Sequence, residues 1–285
     1  MWANNVLPAM LPFFICANFM NYIGITKYLK PSYFAFAMSA LSGYPMGAKV
    51  IGDMGRRGYI SKKECSRLIS FCSTSGPAFI VGAVGAAMIG NNLAGGIIAV
   101  SHFGGALLNG VLFTFLLKFR DFKPNRNSQE HKIKAFKDYQ AKSQRGSGHE
   151  TENNYLDIFT EAIVSSFKSL GIILAYIVMF MMITDIMEYM GMFKMIHSIY
   201  MEGLLKGILE MTLGCASITS TMMIPLSYKI VGCSMLISFG GLSIIGQSMS
   251  MLAGTKISIW YLLLVKICHG AIAAGLAILL VKILF

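Results

Sequence analysis

Apolar runs long enough to cross a bilayer recur along the whole chain, and with one exception the segments between them are short and polar. The first run, about residues 2 to 25, predicts a membrane helix, since roughly 20 helical residues span the hydrocarbon core. The second, 32 to 51, is apolar but broken at its middle by "SGYP" (Ser42, Gly43, Tyr44 and Pro45), and its one charge is Lys49. A basic loop at 53 to 67 follows, carrying Arg56, Arg57, Lys62, Lys63 and Arg67. An interrupted helix at 68 to 90 and a cleaner one at 93 to 117 come next. Residues 118 to 157 change character, with nine Lys or Arg, six Asp or Glu and few large apolars, as an extramembrane linker would. The pattern then resumes: a helix at about 159 to 187, interrupted runs at 203 to 228 and 230 to 253, and a closing helix at 258 to 284.

The resumption reads as a repeat. "MNYIG" at 20 to 24 answers "MEYMG" at 187 to 191 at an offset of 167, "LISF" recurs at 68 and 236 at an offset of 168, and His102 stands to His269 at 167. The expected organisation is therefore a first repeat at 1–118, a basic linker at 119–158 and a second repeat at 159–285. The fold class is all-α integral membrane. Each repeat holds a membrane helix, a re-entrant hairpin, a broken helix and a further membrane helix. If each central run enters and leaves on one side, each half crosses three times, and the odd count inverts the second half relative to the first. Lys27, Lys30, the 53 to 67 loop and the linker then fall on one side, the cytoplasmic one by the positive-inside rule.

Broken backbone in hydrocarbon leaves N–H and C=O groups unpaired at several kcal/mol each, so it survives only inside protein or beside water. A hairpin arm of about ten residues is roughly 15 Å long, which carries its tip to about the bilayer midplane. The tips are thus predicted to line a cavity, with helix ends supplying partial positive charge for an anion. The candidate solute-binding set from the first half is Ser42, Gly43, Tyr44, Pro45 and Lys49, joined by Ser73, Thr74, Ser75 and Gly76 of "STSGP", where Pro77 removes a donor. The second half offers Thr212, Gly214 and Ser217 around a hydroxyl-rich tip expected at 214 to 221, with Ser243 and Gln247 on the second broken helix.

Lys49 either attracts an anion or snorkels towards Asp53, four residues on. Glu210 reads as a proton- or cation-coupling group, or as a partner of Lys206 at i−4. His102 and His269, beside small residues in "SHFGG" and "CHGA", are expected in an interhelical polar network. Asp185 and Glu188 are expected near the outer interface.

Composition agrees with the pattern: of 285 residues, 55% are hydrophobic and 13% charged, with mean hydropathy +0.62. The N-terminus lacks a basic n-region and cleavage site and reads as mature protein. Six scattered cysteines form no CxxC pair and have no histidine at ligand spacing, so no metal, disulfide framework or cofactor is expected. There is no HExxH, GxSxG or P-loop, and "YPMGAK" lacks the Walker spacing, so catalysis is not expected. A net charge of +11 invites a nucleic-acid reading, but the linker's six acids and its lack of interleaved aromatics point to contact with anionic membrane lipids instead. A homo-oligomer is compatible with the pattern.

"LSGYPMGAK", "STSGPAFIVGAV", "SHF", "ILEMTLG", "SFGGLSIIGQ" and "KICHG", in this order, resemble a sporulation-associated branch of the nucleoside-recognition, or Gate, family over nearly all the chain except the linker. The resemblance implies an architecture similar to concentrative nucleoside transporters. It also implies a secondary transporter or facilitator for a small aromatic dicarboxylate, dipicolinic acid, delivered across the outer forespore membrane with the linker on the mother-cell side. A membrane scaffold for the spore envelope, acting through its linker, and a nucleoside-type transporter are the alternatives. Family members carry further hydrophobic sequence before the "LPFF" helix, so the resemblance implies either a short form or a preceding segment.

Overall fold

The computed structural model describes residues 7–24, 29–120 and 155–284, so Lys27, the first six residues and 121–154 of the linker lie outside the described residues, while the linker's two ends, 119–120 and 155–158, belong to the flanking helices. The first half contains α1 (Leu7–Tyr22), α2 (Pro31–Ser42), α3 (Met46–Arg56), α4 (Lys62–Ile69), α5 (Ala78–Ile89) and α6 (Asn92–Arg120). The second contains α7 (Tyr155–Tyr189), one 3₁₀ turn (Met192–Met195), α8 (Ile199–Leu209), α9 (Met211–Ser220), α10 (Leu226–Phe239), α11 (Gly241–Met251) and α12 (Ile259–Leu284). Among the described residues, four stretches are long and apolar enough to cross a membrane: Asn92–Phe119, Tyr155–Tyr189, Leu226–Met251 and Ile259–Leu284. The protein is an all-helical integral membrane protein.

Local sequence sets the boundaries. Pro31 opens α2, where its missing N–H costs nothing, and Gly43 ends it at φ 79°, a conformation that a Cβ disfavours. Ser61 caps α4 by accepting from the Glu64 amide at 3.2 Å. Pro77 precedes α5, which winds with the wide i→i+5 pitch that often marks functional sites. Asn91 caps α6, accepting from the Ala94 amide at 3.0 Å. Gly240 and Gly241, at φ 87° and 76°, separate α10 from α11 without ending the apolar run.

The first half runs from the 16-residue α1 through four shorter helices to the 29-residue α6, and the second from the 35-residue α7 through four shorter helices to the 26-residue α12. The two halves interlock rather than stand apart. One core joins α1 to α4 with α7 and α11 through Phe14, Phe34, Met54, Leu68, Leu170 and Ile245. The other joins α5 and α6 with α9 to α12 through Ile80, Ile98, Ile218, Ile230 and Leu236. Asn18, near the end of α1, donates to Ser166 Oγ of α7 at 2.9 Å, and Phe19 meets Phe159 edge-on at 5.7 Å. Helices α6 and α12 run antiparallel: His102 faces His269, Asn109 donates to the Val265 carbonyl at 3.2 Å, and Phe113 meets Tyr261.

The predicted interruptions of the runs at 32 to 51, 68 to 90 and 230 to 253 are all present, at 43 to 45, 70 to 76 and Gly240. The second hairpin differs from expectation, because residues 211–220 form a continuous helix and the break falls at Glu210, not at 214 to 221. The hydroxyls that suggested a tip bond back to their own helix instead. Thr219 donates to the Cys215 carbonyl at 2.7 Å and Ser220 to that of Ser217 at 3.1 Å, the usual fate of such groups in an apolar setting. Gly214 serves close packing, since a Cβ there would stand 2.9 Å from the Gly203 carbonyl oxygen across the α8–α9 contact.

Candidate functional site

The first hairpin tip packs on the first helix break. A Cβ on Gly43 would lie 3.1 Å from the Gly76 Cα, so the two backbones meet only because Gly43 lacks a side chain. Ser39 of α2 fastens the break by donating to the Cys72 carbonyl at 2.5 Å, while its oxygen accepts from the Thr74 hydroxyl at 2.9 Å and the Thr74 amide at 3.3 Å. The Ser75 amide donates to His102 Nε2 at 2.9 Å. An accepting Nε2 places the proton of neutral His102 on Nδ1, which donates to Ser238 Oγ at 2.8 Å on the last turn of α10. His269 Nε2 in turn donates to the His102 carbonyl at 2.9 Å, with the two rings 4.9 Å apart. The histidine network expected from the sequence therefore joins α6, α10, α12 and the first break.

Tyr44, at the tip, reaches across to the second half, and its hydroxyl donates to the Ile237 carbonyl at 3.1 Å. The Tyr44 hydroxyl oxygen in turn accepts from Lys266 Nζ of α12 at 2.5 Å, and Nζ donates again to the Ser73 carbonyl at 3.1 Å. The same ammonium lies 4.2 Å from the centroid of the Tyr44 ring. Lys266 is 1% exposed. Its stem passes the other break, where a Cβ on Gly240 would stand 3.5 Å from Lys266 Cε. Sequence reasoning missed this residue, although a lysine well inside the closing apolar helix is the same signal that singled out Lys49.

Lys49 itself stands elsewhere. Its Nζ pairs with Asp53 Oδ2 at 2.7 Å, and Asp53 Oδ1 accepts from Arg56 at 2.5 Å, so the lysine is turned along α3 away from the tip. Lys49→Met should lower unfolding free energy by only about 1 kcal/mol, because Arg56 still holds the carboxylate. Asp53→Leu, which strands Lys49, should cost about 3 kcal/mol. Thermal midpoints of the two purified variants check the order.

The second hairpin tip abuts the second break: a Cβ on Gly241 would lie 3.1 Å from the Gly207 carbonyl oxygen and 3.2 Å from that of Leu209. Glu210 does not pair with Lys206, which binds Glu202 at 2.8 Å and Glu188 at 3.0 Å. At the break Glu210 is extended (φ −138°, ψ 116°), which takes its side chain out of helical phase with Lys206. It folds forward instead to cap α9, accepting from the Leu213 amide at 2.9 Å and from the Thr212 hydroxyl. Gln247 donates to Ser243 Oγ at 3.1 Å within α11. Ser217 faces α8, where a Cβ on Gly203 would be 3.4 Å from its hydroxyl.

The structure thus gathers Tyr44, Ser73, Ser75, His102 and His269 of the expected set around Lys266 and Ser238. Thr212 stays with Glu210 at the second tip, Gly214 and Ser217 in the α8–α9 seam, and Lys49 on its own carboxylate. The cluster is closely packed, and the Tyr44 hydroxyl, the Lys266 ammonium and both His102 ring nitrogens are satisfied within it. It could accept a polar guest by exchanging one internal hydrogen bond for another.

No protein-family profile matches the chain, and no solved structure matches it. At 26% identity over 321 aligned positions, covering 100% of this chain and 76% of the relative, the chain is similar to the sporulation integral membrane protein YlbJ of Bacillus subtilis (strain 168).

Proposed function

We propose that this protein is a secondary carrier or facilitator that moves a small anionic aromatic solute, dipicolinate, across the outer forespore membrane during sporulation. One observation carries the reading: a hairpin tip, a helix break and the closing helix meet in direct polar contact inside the bundle, through Tyr44, Ser73 and Lys266. Such convergence of discontinuous helices is the geometry in which secondary transporters hold solutes. The antiparallel course of α6 and α12, which occupy corresponding places in the two halves, supports reading those halves as inverted repeats. Similarity to a sporulation membrane protein supports the setting. The conformation described is closed, so loading requires the α2–α3 tip to withdraw from α10 and α12. The reading assigns no catalytic step, and it places the linker on the mother-cell side.

Uptake by proteoliposomes tests it. The expected result is saturable entry of labelled pyridine-2,6-dicarboxylate above protein-free vesicles. Absence of entry without a gradient, with a proton gradient and with a sodium gradient would overturn the carrier reading. Preferential entry of uridine would replace the cargo.

A further inference from the structure

Two cations among the described residues are buried, Lys49 and Lys266, and they are treated differently. Lys49 has the Asp53 carboxylate at 2.7 Å. No carboxylate lies within ion-pairing distance of Lys266 among the described residues, although its side chain is among the largest that are fully buried. A buried ammonium without a counter-charge is costly, and inside a membrane bundle such groups mark solute or ion pathways. Its surroundings are neutral acceptors: the Tyr44 hydroxyl, the Ser73 carbonyl and the face of the Tyr44 ring.

These acceptors differ in how readily they leave. The Ser73 carbonyl belongs to a loop fastened by Ser39 and His102 through its neighbours Cys72, Thr74 and Ser75. Tyr44 sits on a hairpin tip beside Gly43, and its proton goes to the Ile237 carbonyl, so it offers Lys266 only a neutral lone pair. Next to it, the Ser42 hydroxyl is buried without a partner. A carboxylate makes shorter and stronger bonds to an ammonium than a phenol does, so it out-competes Tyr44 for this position.

We propose that Lys266 is the anion subsite of the protein: a carboxylate of the solute replaces the Tyr44 hydroxyl on the Lys266 ammonium, so the site selects carboxylate anions over neutral solutes of the same shape. The inference rests on the carrier reading for its biological setting and deepens it by naming the group that sets solute charge.

The test uses full-length protein in detergent and in proteoliposomes, with pyridine-2,6-dicarboxylate and its uncharged dicarboxamide as probes. Wild type should be stabilised against heat by the dicarboxylate and not by the dicarboxamide. Lys266→Met, which keeps most of the stem volume, should fold with an equal or higher melting temperature and lose about 100-fold in dicarboxylate affinity. Tyr44→Phe should bind the anion as well as wild type or better, because the internal occupant is gone. A Lys266→Met protein that fails to fold, or that folds and keeps the wild-type preference, overturns the proposal, as does a Tyr44→Phe loss as large as that of Lys266→Met. Wild type that transports nothing yet shows Lys266-dependent stabilisation by the dicarboxylate would remove the carrier reading and leave the anion subsite. Transport that persists unchanged in Lys266→Met would do the reverse.

Discussion

Gly47→Val is expected to prevent the first hairpin from seating, with a loss of at least about 3 kcal/mol in stability and little folded protein recovered. Gly47 sits in the first turn of α3, against the first helix break. A Cβ there would overlap the Cys72 carbonyl oxygen and come within 2.8 Å of both the carbonyl carbon and Ser39 Oγ. Neither neighbour can yield cheaply. One is backbone, and the other is fixed by the bonds Ser39 makes to Cys72 and Thr74. Overpacking a well-filled interior costs about 1–3 kcal/mol, and here the displaced loop also gives up its buried hydrogen bonds. Even Gly47→Ala should be severe. Gly82→Ala provides the control, since a Cβ at Gly82 meets nothing within 4 Å. Comparing thermal midpoints of the three proteins decides the matter, and a stable Gly47→Val with wild-type melting would show that the tip does not bear on the break.

Removing the His102 ring, which supplies one acceptor and one donor, should be nearly as damaging. His102→Phe leaves the Ser75 amide and the Ser238 hydroxyl without their partner in a 0% exposed location. Each orphaned group costs about 1–3 kcal/mol, so a combined loss of about 2–6 kcal/mol is expected. His102→Gln, whose amide carries both an acceptor and a donor, should recover part of it. Ser238→Ala combined with His102→Phe should cost less than the sum of the two single changes, because the pair shares one bond. A double-mutant cycle read from denaturation midpoints in detergent measures this coupling, and strict additivity would remove the Nδ1 to Ser238 contact from the account.

The sequence was most legible where chemistry forces an interruption. Gly43 with Pro45, the serines and glycine before Pro77, and the Gly240–Gly241 pair all mark real breaks, since each removes a donor or admits a positive φ. Glu210 was harder to place as a break. It interrupts the second hairpin without glycine or proline at the break itself, by capping the following helix. The hydroxyl-rich stretch after it mimics a tip while its side chains bond their own helix. The Lys266 contact could not be read locally at all. Its partners Tyr44 and Ser73 lie 222 and 193 residues away, and only the packing of α12 against the first half brings them together. Lys49 was visible for the same compositional reason, but a carboxylate one helical turn on claims it.

The guanidinium of Arg56 has a mechanical consequence. It donates to the Met251 and Ala253 carbonyls at 2.8 Å each, clamping the far end of α3 to the end of α11. Helix α3, 11 residues long, is then a lever of about 16 Å with its fulcrum at Arg56 and its free end beside Tyr44. A tilt of about 10° swings that free end by about 3 Å over such a length, enough to part the tyrosine from the lysine while the clamp stays shut.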